Sequence, residues 1–118
     1  MAAESITLVI YSDPAKSGAT AEALRMGMGL GVGERTLNVV LMGPAAQVLT
    51  DEVDDLVDGE MIENHLDVYA DWGATFHVDP AAMDEYGIGD DSPVDVVPAT
   101  AADVARLMAG AAQVMVFP

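Results

Sequence analysis

Residues 5–14 read SITLVIYSDP, a nearly unbroken apolar run that ends in a polar turn. Such a run is typical of a buried parallel strand, because both faces of a parallel sheet are covered by helices. Asp13 and Pro14 then suit the N-cap and the first position of a helix. Apolar residues at helical spacing continue to about Leu30. The segment therefore predicts a strand followed directly by a buried helix, the opening unit of an α/β protein.

The same alternation continues along the rest of the chain. We predict further strands at 36–42, 75–78, 94–97 and 112–117, and helical segments at 45–49, 60–73, 79–87 and 100–110. The acidic stretch 51–60 is expected to be a solvated loop or a helix start. Since the connections are short, the order predicts a single-domain, three-layer α/β fold over residues 1–118, with a mostly parallel five-stranded sheet.

Composition limits the class of protein. The 118 residues are 52% hydrophobic but only 5% aromatic, so an aliphatic core is expected and disorder is excluded for most of the chain. No apolar run approaches the ~18 residues that span a bilayer. The N-terminus has no basic region of the kind that opens a secretion signal, so we expect a cytoplasmic protein.

The charge is strongly unbalanced. Twenty acidic residues face four basic ones, for a formal net charge of −16. Binding of nucleic acid or of an anionic membrane requires clustered Lys and Arg, so neither partner is expected. One lysine beside so many carboxylates is typical of proteins from salt-accumulating halophiles, although an acidic protein of an ordinary cytosol remains the alternative.

The chain contains no cysteine. Disulfides, Cys-containing metal sites and thiol nucleophiles are therefore all excluded. The nucleophile motif G-x-S-x-G is absent as well. The glycine run 27–33 lies at a helix end rather than after a strand, so it indicates helix termination and not a dinucleotide site. The stretch 51–60 lacks the ligand spacing of a calcium loop. We expect no cofactor and no resident metal.

One loop could bind an anion. Small and hydroxyl-bearing residues follow the first strand, at the carboxyl end where open α/β sheets bind ligands; they are Ser12, Asp13, Ser17, Gly18 and Thr20. Backbone N–H groups and hydroxyls there could cradle a phosphate, in a pattern that resembles the phosphate loop of flavodoxins. The alternative is an ordinary strand-to-helix turn with several competing caps, and the carboxylate of Asp13 would repel an anion.

His77 and Asp79 are the remaining candidates for chemistry. They lie two residues apart on a predicted strand, potentially on one face, and could supply two metal ligands. In the alternative interpretation His77 is a hydrogen-bonded histidine at a strand end. Asp79 is then an N-cap, with Pro80 in the first position of the next helix.

The order of elements resembles the DsrE/DsrF/DsrH-like family, whose fold is shared with the sulfur-relay proteins TusB, TusC and TusD. The landmarks are ITLVIYSDP at 6–14, VVLMG at 39–43, FHVD at 76–79, MDEYGI at 83–88 and the apolar run 112–117. The resemblance implies a small α/β protein that assembles as a trimer or hexamer, with itself or with related subunits, and takes part in cytosolic sulfur relay.

The chain departs from that family at the position that matters for transfer. Active members carry a persulfide on a cysteine at the start of the helix after the third strand, and the matching residue here is Asp79. A carboxylate cannot carry sulfane sulfur, so the resemblance implies a non-catalytic subunit or binding partner. Two alternatives remain: a flavodoxin-like module that binds a small anionic cofactor at residues 12–20, and a metal-assisted enzyme that uses His77 and Asp79.

Overall fold

The computed structural model describes residues 5–30, 36–89 and 91–118. In chain order the elements are β1 (Ser5–Ile10), α1 (Ala19–Leu30), β2 (Thr36–Leu41), a 3₁₀ helix (Gly43–Leu49), a 3₁₀ turn (Val53–Asp55), α2 (Gly59–Asp71), β3 (Thr75–Val78), α3 (Pro80–Tyr86), β4 (Asp95–Pro98), α4 (Ala101–Gly110) and β5 (Gln113–Phe117). This order confirms the predicted alternation. The second half of the glycine run, residues 31–33, lies outside the described residues.

Across these described residues, five parallel strands form one sheet in the order β4-β3-β2-β1-β5. The predicted α/β fold class is confirmed. β1, β2, β3 and β4 follow one another in one direction across the sheet, whereas β5 lies on the other side of β1. Because crossovers between parallel strands are right-handed, the helices of the first three connections lie on one face and α4 lies on the other.

The two faces of the sheet have cores of different size. On the first face, buried side chains from β1, β2 and β3 pack against α1, α2, α3 and the 3₁₀ helix, including the fully buried Leu24, Tyr69 and Phe76. On the second face, Val9 and Val40 meet Ala99 and Val104, with partly buried residues of α4 around them. Most of the apolar burial therefore lies on the α1–α3 side.

The predicted start of the first helix is wrong: α1 begins at Ala19, not at Pro14. The Asp13 carboxylate accepts a hydrogen bond from the Ala15 N–H (2.9 Å), and the Asp13 carbonyl accepts from the Lys16 N–H (3.0 Å). This closes an isolated turn. The Pro14 carbonyl is then held by the Val57 N–H at 2.8 Å, which ties the turn to a distant loop.

The other boundaries shift by a residue or two. β2 ends one residue before the predicted Met42, β5 begins one residue late, and β4 runs one residue further along than predicted. α2 begins at Gly59, where an added Cβ would lie 2.2 Å from the Val53 carbonyl oxygen. The residue before it, Asp58, has φ +58°, in the left-handed region that residues other than glycine adopt mainly in tight turns.

A close contact joins α1 to α2. The Tyr69 hydroxyl, on a fully buried side chain, donates a hydrogen bond to the Leu24 carbonyl at 2.7 Å. Gly27 makes room for it, since a Cβ there would lie 2.3 Å from the Tyr69 oxygen and 2.9 Å from Leu8. This glycine therefore lies inside the helix and serves packing, while the helix itself continues to Leu30.

None of the helices in the described ranges is both long and apolar enough to cross a membrane.

Candidate functional site at the carboxyl edge of the sheet

The candidate residues after β1 and after β3 lie along one edge of the sheet. Backbone bonds continue the ladder just beyond the strands: Tyr11 N–H to the Phe117 carbonyl (2.8 Å), Met42 N–H to Ile10 (2.9 Å) and Asp79 N–H to Leu41 (3.3 Å). With β2 between them, the β1 loop and Asp79 are two strand spacings apart, about 10 Å. Both therefore lie at the carboxyl edge of the sheet, where open α/β sheets bind ligands, although the switch point between β1 and β5 lies beside the β1 loop and not beside Asp79.

Ser12 and Thr20 lie together in this loop but are turned inward. The Thr20 hydroxyl donates to the Ser12 carbonyl at 3.0 Å, and the two hydroxyl oxygens are 2.8 Å apart. Ser12 is 6% exposed and Thr20 is fully buried. Their hydroxyls tie the end of β1 to the start of α1, so they are not directed toward a ligand.

Asp13 is the polar centre of the loop. Its Oδ1 accepts from the Ala15 N–H and, at 3.0 Å, from the Gln47 amide, which also donates to the Pro44 carbonyl at 2.8 Å. The Lys16 ammonium lies 4.0 Å from the other carboxylate oxygen but is mostly solvated. Asp13 therefore links the loop to the 3₁₀ helix and places a negative charge where the phosphate hypothesis requires a positive environment.

Ser17 and Gly18 lead into α1. The Ser17 hydroxyl accepts from the Ala19 N–H at 3.3 Å, which makes it a local cap. A Cβ at Gly18 would lie 2.7 Å from the Asp58 carboxylate, so this part of the loop is packed against residues 57–58. A second carboxylate thus borders the backbone that would have to bind an anion.

Asp79 is the N-cap of α3. Its carboxylate accepts from the Ala81 N–H at 3.4 Å, Pro80 occupies the first helical position, and the helix closes at Gly87 with φ +64°. The side chain is half-buried. An N-cap carboxylate also interacts favourably with the positive end of the helix dipole. The geometry gives Asp79 a capping role at the edge of the sheet.

His77 belongs to a different environment. The strand register aligns it with Val40 and Val97 on the α4 side of the sheet, where it lines a groove of about 460 Å³ with Asp103 and Arg106. Burial lowers the pKa of His77, and the nearby Asp103 charge partly opposes that shift. Within the described ranges no three His, Asp or Glu side chains converge as a metal site would require.

A second concave region lies on the opposite side of the sheet. It has a volume of about 450 Å³ and lies between the end of the 3₁₀ helix, α2 and α3, with Asp51, Glu63 and Asp67 around an apolar floor. A hydrogen bond with Asp54 and the negative charges beside it raise the pKa of Glu63. Crowded carboxylates, and not any candidate residue predicted above, define this region.

Three neighbours of the candidate residues were not predicted from the sequence. The Gln47 amide donates a hydrogen bond to Asp13, 34 residues away in sequence. The pKa of Tyr86 is raised mainly by its hydrogen bond with Glu85, and the negative charge of the nearby Asp13 adds to that shift. Asp103 is the acidic neighbour of His77. No local sequence pattern predicts these long-range pairs. The parallel order of β1, β2 and β3 does place Asp13, Gln47 and Tyr86, which each follow one of these strands, at the same edge of the sheet.

Comparison with protein-family models gives one match, to the DsrE/DsrF-like family, over residues 4–117. The match spans nearly the whole sequence, as the landmarks from 6–14 to 112–117 indicate. The chain belongs to the DsrE/DsrF-like family. The resemblance inferred from the sequence is thereby confirmed.

Solved structures agree with this assignment at the level of the fold. The crystal structure of the ychN protein from E. coli superposes with a TM-score of 0.81 at 20% identity, covering 97% of this chain and 99% of that one. The protein of unknown function MTH1491 from Methanobacterium thermoautotrophicum gives 0.58 at 16% identity, covering 98% and 99%. A search of curated proteins gave no match.

One feature of this chain bears directly on sulfur chemistry. It has no cysteine anywhere in its sequence. The helix start after β3, which can lower a thiol pKa through the helix dipole, is occupied by a capping carboxylate followed by Pro80.

Proposed function

We propose that this DsrE/DsrF-like protein is a non-catalytic subunit or binding partner in sulfur relay or related metabolism. The observation that supports this proposal is the role of Asp79. Its carboxylate caps α3 at the position that the family resemblance gives to the persulfide cysteine. A carboxylate oxygen bonded to a helix N–H can hold a helix start in place, but it forms no S–S bond.

In this proposal the protein contributes its fold and its surfaces. It assembles with itself, as a trimer or hexamer, or with a cysteine-bearing relative that carries the sulfur. The anion-binding alternative at residues 12–20 has less support, since the hydroxyls of Ser12 and Thr20 bond to each other and Asp13 adds negative charge. The metal-assisted alternative is also weakened, because His77 lines a groove with Asp103 and Asp79 caps α3.

The test is a sulfur-transfer assay on the native complex. The protein is isolated from its source together with whatever co-purifies, the complex is supplied with a labelled sulfane donor, and the label is located by mass spectrometry of each chain. We expect the label on a cysteine of a family relative and none on this chain. Full transfer activity from this chain alone, without a cysteine-bearing partner, would overturn the proposal.

Two variants separate capping from chemistry at Asp79. Asp79→Ser keeps an N-cap oxygen and removes the carboxylate, whereas Asp79→Ala removes both. If Asp79 only caps α3, the complex with Asp79→Ser transfers sulfur at the wild-type rate. An equal loss of transfer with both variants, at unchanged folding, would instead show that the carboxylate takes part in the reaction.

A further inference from the structure

A cavity on the α1–α3 side of the sheet is lined by none of the candidate residues named above. Its lining residues lie between 48 and 53, on α2, and at 86, 87, 91 and 93, so the cavity is bounded by the 3₁₀ helix, α2 and α3. We call it the α2–α3 cavity. Its volume is about 450 Å³, inside the ~300–1,000 Å³ range that is usual for sites of small molecules. The cavity is therefore large enough for an organic ligand.

The floor of the α2–α3 cavity is apolar. Four aliphatic side chains line it, and each of them is at most 7% exposed: Val48, Leu49, Val53 and Leu66. They belong to the main core cluster, so the floor is continuous with the core. The half-buried Tyr86 packs against the same cluster and adds an aromatic side chain to the lining. Such a floor favours the carbon skeleton of an organic molecule.

The rim of the same cavity is negative. Four exposed carboxylates line it: Asp51, Glu63, Asp67 and Asp91. Glu63 and Asp67 are four residues apart on α2, and therefore lie on one side of the helix. A hydrogen bond with Asp54 and the surrounding negative charges raise the pKa of Glu63, as crowded carboxylates do when no cation lies between them. Among the lining residues that the structure describes there is no Lys, Arg or His, so a bound cation would be the first positive charge in this cavity.

Floor and rim together select the chemistry of the ligand. A bare metal ion makes no use of the apolar floor, and in the described part of the chain no three His, Asp or Glu side chains converge to hold one. An uncharged apolar ligand would cover part of the carboxylates without giving them a hydrogen-bond partner, which is costly. An anion would be repelled by the rim. An organic cation satisfies both parts, because its carbon skeleton covers the floor while its charged group donates hydrogen bonds to the carboxylates.

We propose that the α2–α3 cavity binds a small organic cation, a primary ammonium on an aromatic or aliphatic body. The ammonium donates hydrogen bonds to the Glu63 and Asp67 carboxylates, and the body lies over Leu49 and Leu66 beside the Tyr86 ring. At the ~30 Å³ that one water molecule occupies in the liquid, the cavity holds a ligand of about 15 non-hydrogen atoms. This site goes beyond the proposed function, since it involves neither Asp79 nor the transfer of sulfur.

The test compares three ligands that share one aromatic body: phenethylammonium, phenethyl alcohol and hydrocinnamate, which are cationic, neutral and anionic. Each is titrated into the full chain at neutral pH and one KCl concentration, and the backbone amide shifts are followed by proton–nitrogen correlation NMR. We expect phenethylammonium to give saturable shifts centred on Leu66 and Tyr86. Phenethyl alcohol should bind about tenfold more weakly, since it lacks the charge-assisted hydrogen bonds, and hydrocinnamate should not bind.

Matched variants show whether the cavity or the overall negative charge attracts the cation. Asp67→Lys places a cation in the rim, and Asp84→Lys makes the same change of charge at an exposed position of α3 that does not line the cavity. Circular dichroism checks the fold of both variants. We expect Asp67→Lys to weaken the binding of phenethylammonium more than about tenfold and Asp84→Lys to weaken it less than about twofold, because salt screens distant charges. Asp67→Asn and Asp84→Asn repeat the comparison without a new cation, should Asp67→Lys fail to fold.

Any of three results would overturn the organic-cation site. Equal affinities for phenethylammonium and phenethyl alcohol would show that the carboxylates do not select the ligand. Equal losses in Asp67→Lys and Asp84→Lys would assign the binding to the net charge of −16. The absence of saturable shifts at the lining residues with all three ligands would show that the cavity is not a site. The sulfur-transfer assay on the native complex tests the proposed function separately, and none of these results changes its expected outcome.

Discussion

The two sides of the sheet use the same strands but differ in what covers them. On one side, α1, α2 and α3 bury a continuous cluster that includes Tyr69 and Phe76, which contact each other edge to face with ring centroids 5.3 Å apart. On the other side, α4 covers a small cluster around Val9 and Val40 and leaves the flanks open. The difference indicates that most of the apolar burial, and with it most of the hydrophobic stabilisation, lies on the first side.

The largest expected effect tests this comparison with one truncation on each side. Leu24→Ala removes a fully buried side chain of α1 and is expected to lower the free energy of unfolding by about 2–5 kcal/mol. Leu107→Ala removes a half-buried side chain of α4, with an expected loss of about 1–2 kcal/mol. Denaturant titration of both variants and of the wild type, at one protein concentration, measures the two losses. Equal losses would show that the α4 side contributes as much as the other.

A second prediction concerns the close contact of α1 with α2. Gly27→Ala should destabilise the protein by about 1–3 kcal/mol despite the better helix propensity of alanine, because the new Cβ meets the Tyr69 hydroxyl. Gly29→Ala is the matched control, since nothing lies within 4 Å of its Cβ. It should stabilise by about 0.5–1 kcal/mol. Thermal unfolding of the two variants gives the comparison, and a stabilising Gly27→Ala would contradict the packing described here.

The cap of α3 gives a smaller effect. Asp79→Ala is expected to cost roughly 0.5–2 kcal/mol, and Asp79→Ser should nearly preserve stability, because a serine hydroxyl can accept the Ala81 N–H. Thr100→Ala at the capping box of α4 is the control on the other side of the sheet and should cost a similar amount. Chemical denaturation measures all three, and a neutral Asp79→Ala would remove the capping role.

The smallest expected effect is electrostatic and depends on pH. Neighbouring carboxylates raise the pKa of Glu63 in the folded protein, so its ionisation opposes folding once the pH exceeds the ordinary glutamate value. Glu63→Gln should therefore raise the melting temperature at pH 7 and lose that advantage near pH 4. Arg25 lowers the pKa of Glu22, so Glu22→Gln should have the opposite sign.

Salt provides a further check on the Glu63 result. The Debye length falls from ~10 Å at 0.1 M to ~3 Å at 1 M salt. The melting-temperature differences of Glu63→Gln and of Glu22→Gln from the wild type should therefore both shrink in concentrated KCl. The wild-type melting temperature should rise over the same range, as repulsion among the 20 carboxylates is screened. A wild-type melting temperature that does not respond to salt would argue against the halophilic origin suggested by the composition.

The sequence predicts those features whose causes are local. The apolar run of β1, the α3 helix between Asp79 and Gly87, and the α4 helix within 100–110 are all encoded within a few residues, and the structure places them as predicted. The start of α1 was predicted wrongly because Asp13 closes a separate turn with Ala15 and Lys16, which a distant bond from Val57 to Pro14 then holds in place.

The candidate site likewise combines features that follow from the order of the elements with features that only tertiary packing creates. The shared edge of the β1 loop and Asp79 follows from strand order, whereas the inward bond between Ser12 and Thr20 and the contact of Gln47 with Asp13 depend on tertiary packing. The proximity of His77 to Asp103 likewise requires the return of α4 over the sheet, which no local spacing specifies.

The most direct test of the central claim, that Asp79 occupies a thiol position as a helix cap, is the thiol pKa of Asp79→Cys. Because the chain has no other cysteine, the ultraviolet absorbance of the thiolate reports this group alone. At the N-terminus of α3 the thiol should titrate below the ~8.5 of a free cysteine and accept sulfur from a sulfane donor. A thiol pKa at or above that value, with no persulfide formed, would contradict the account.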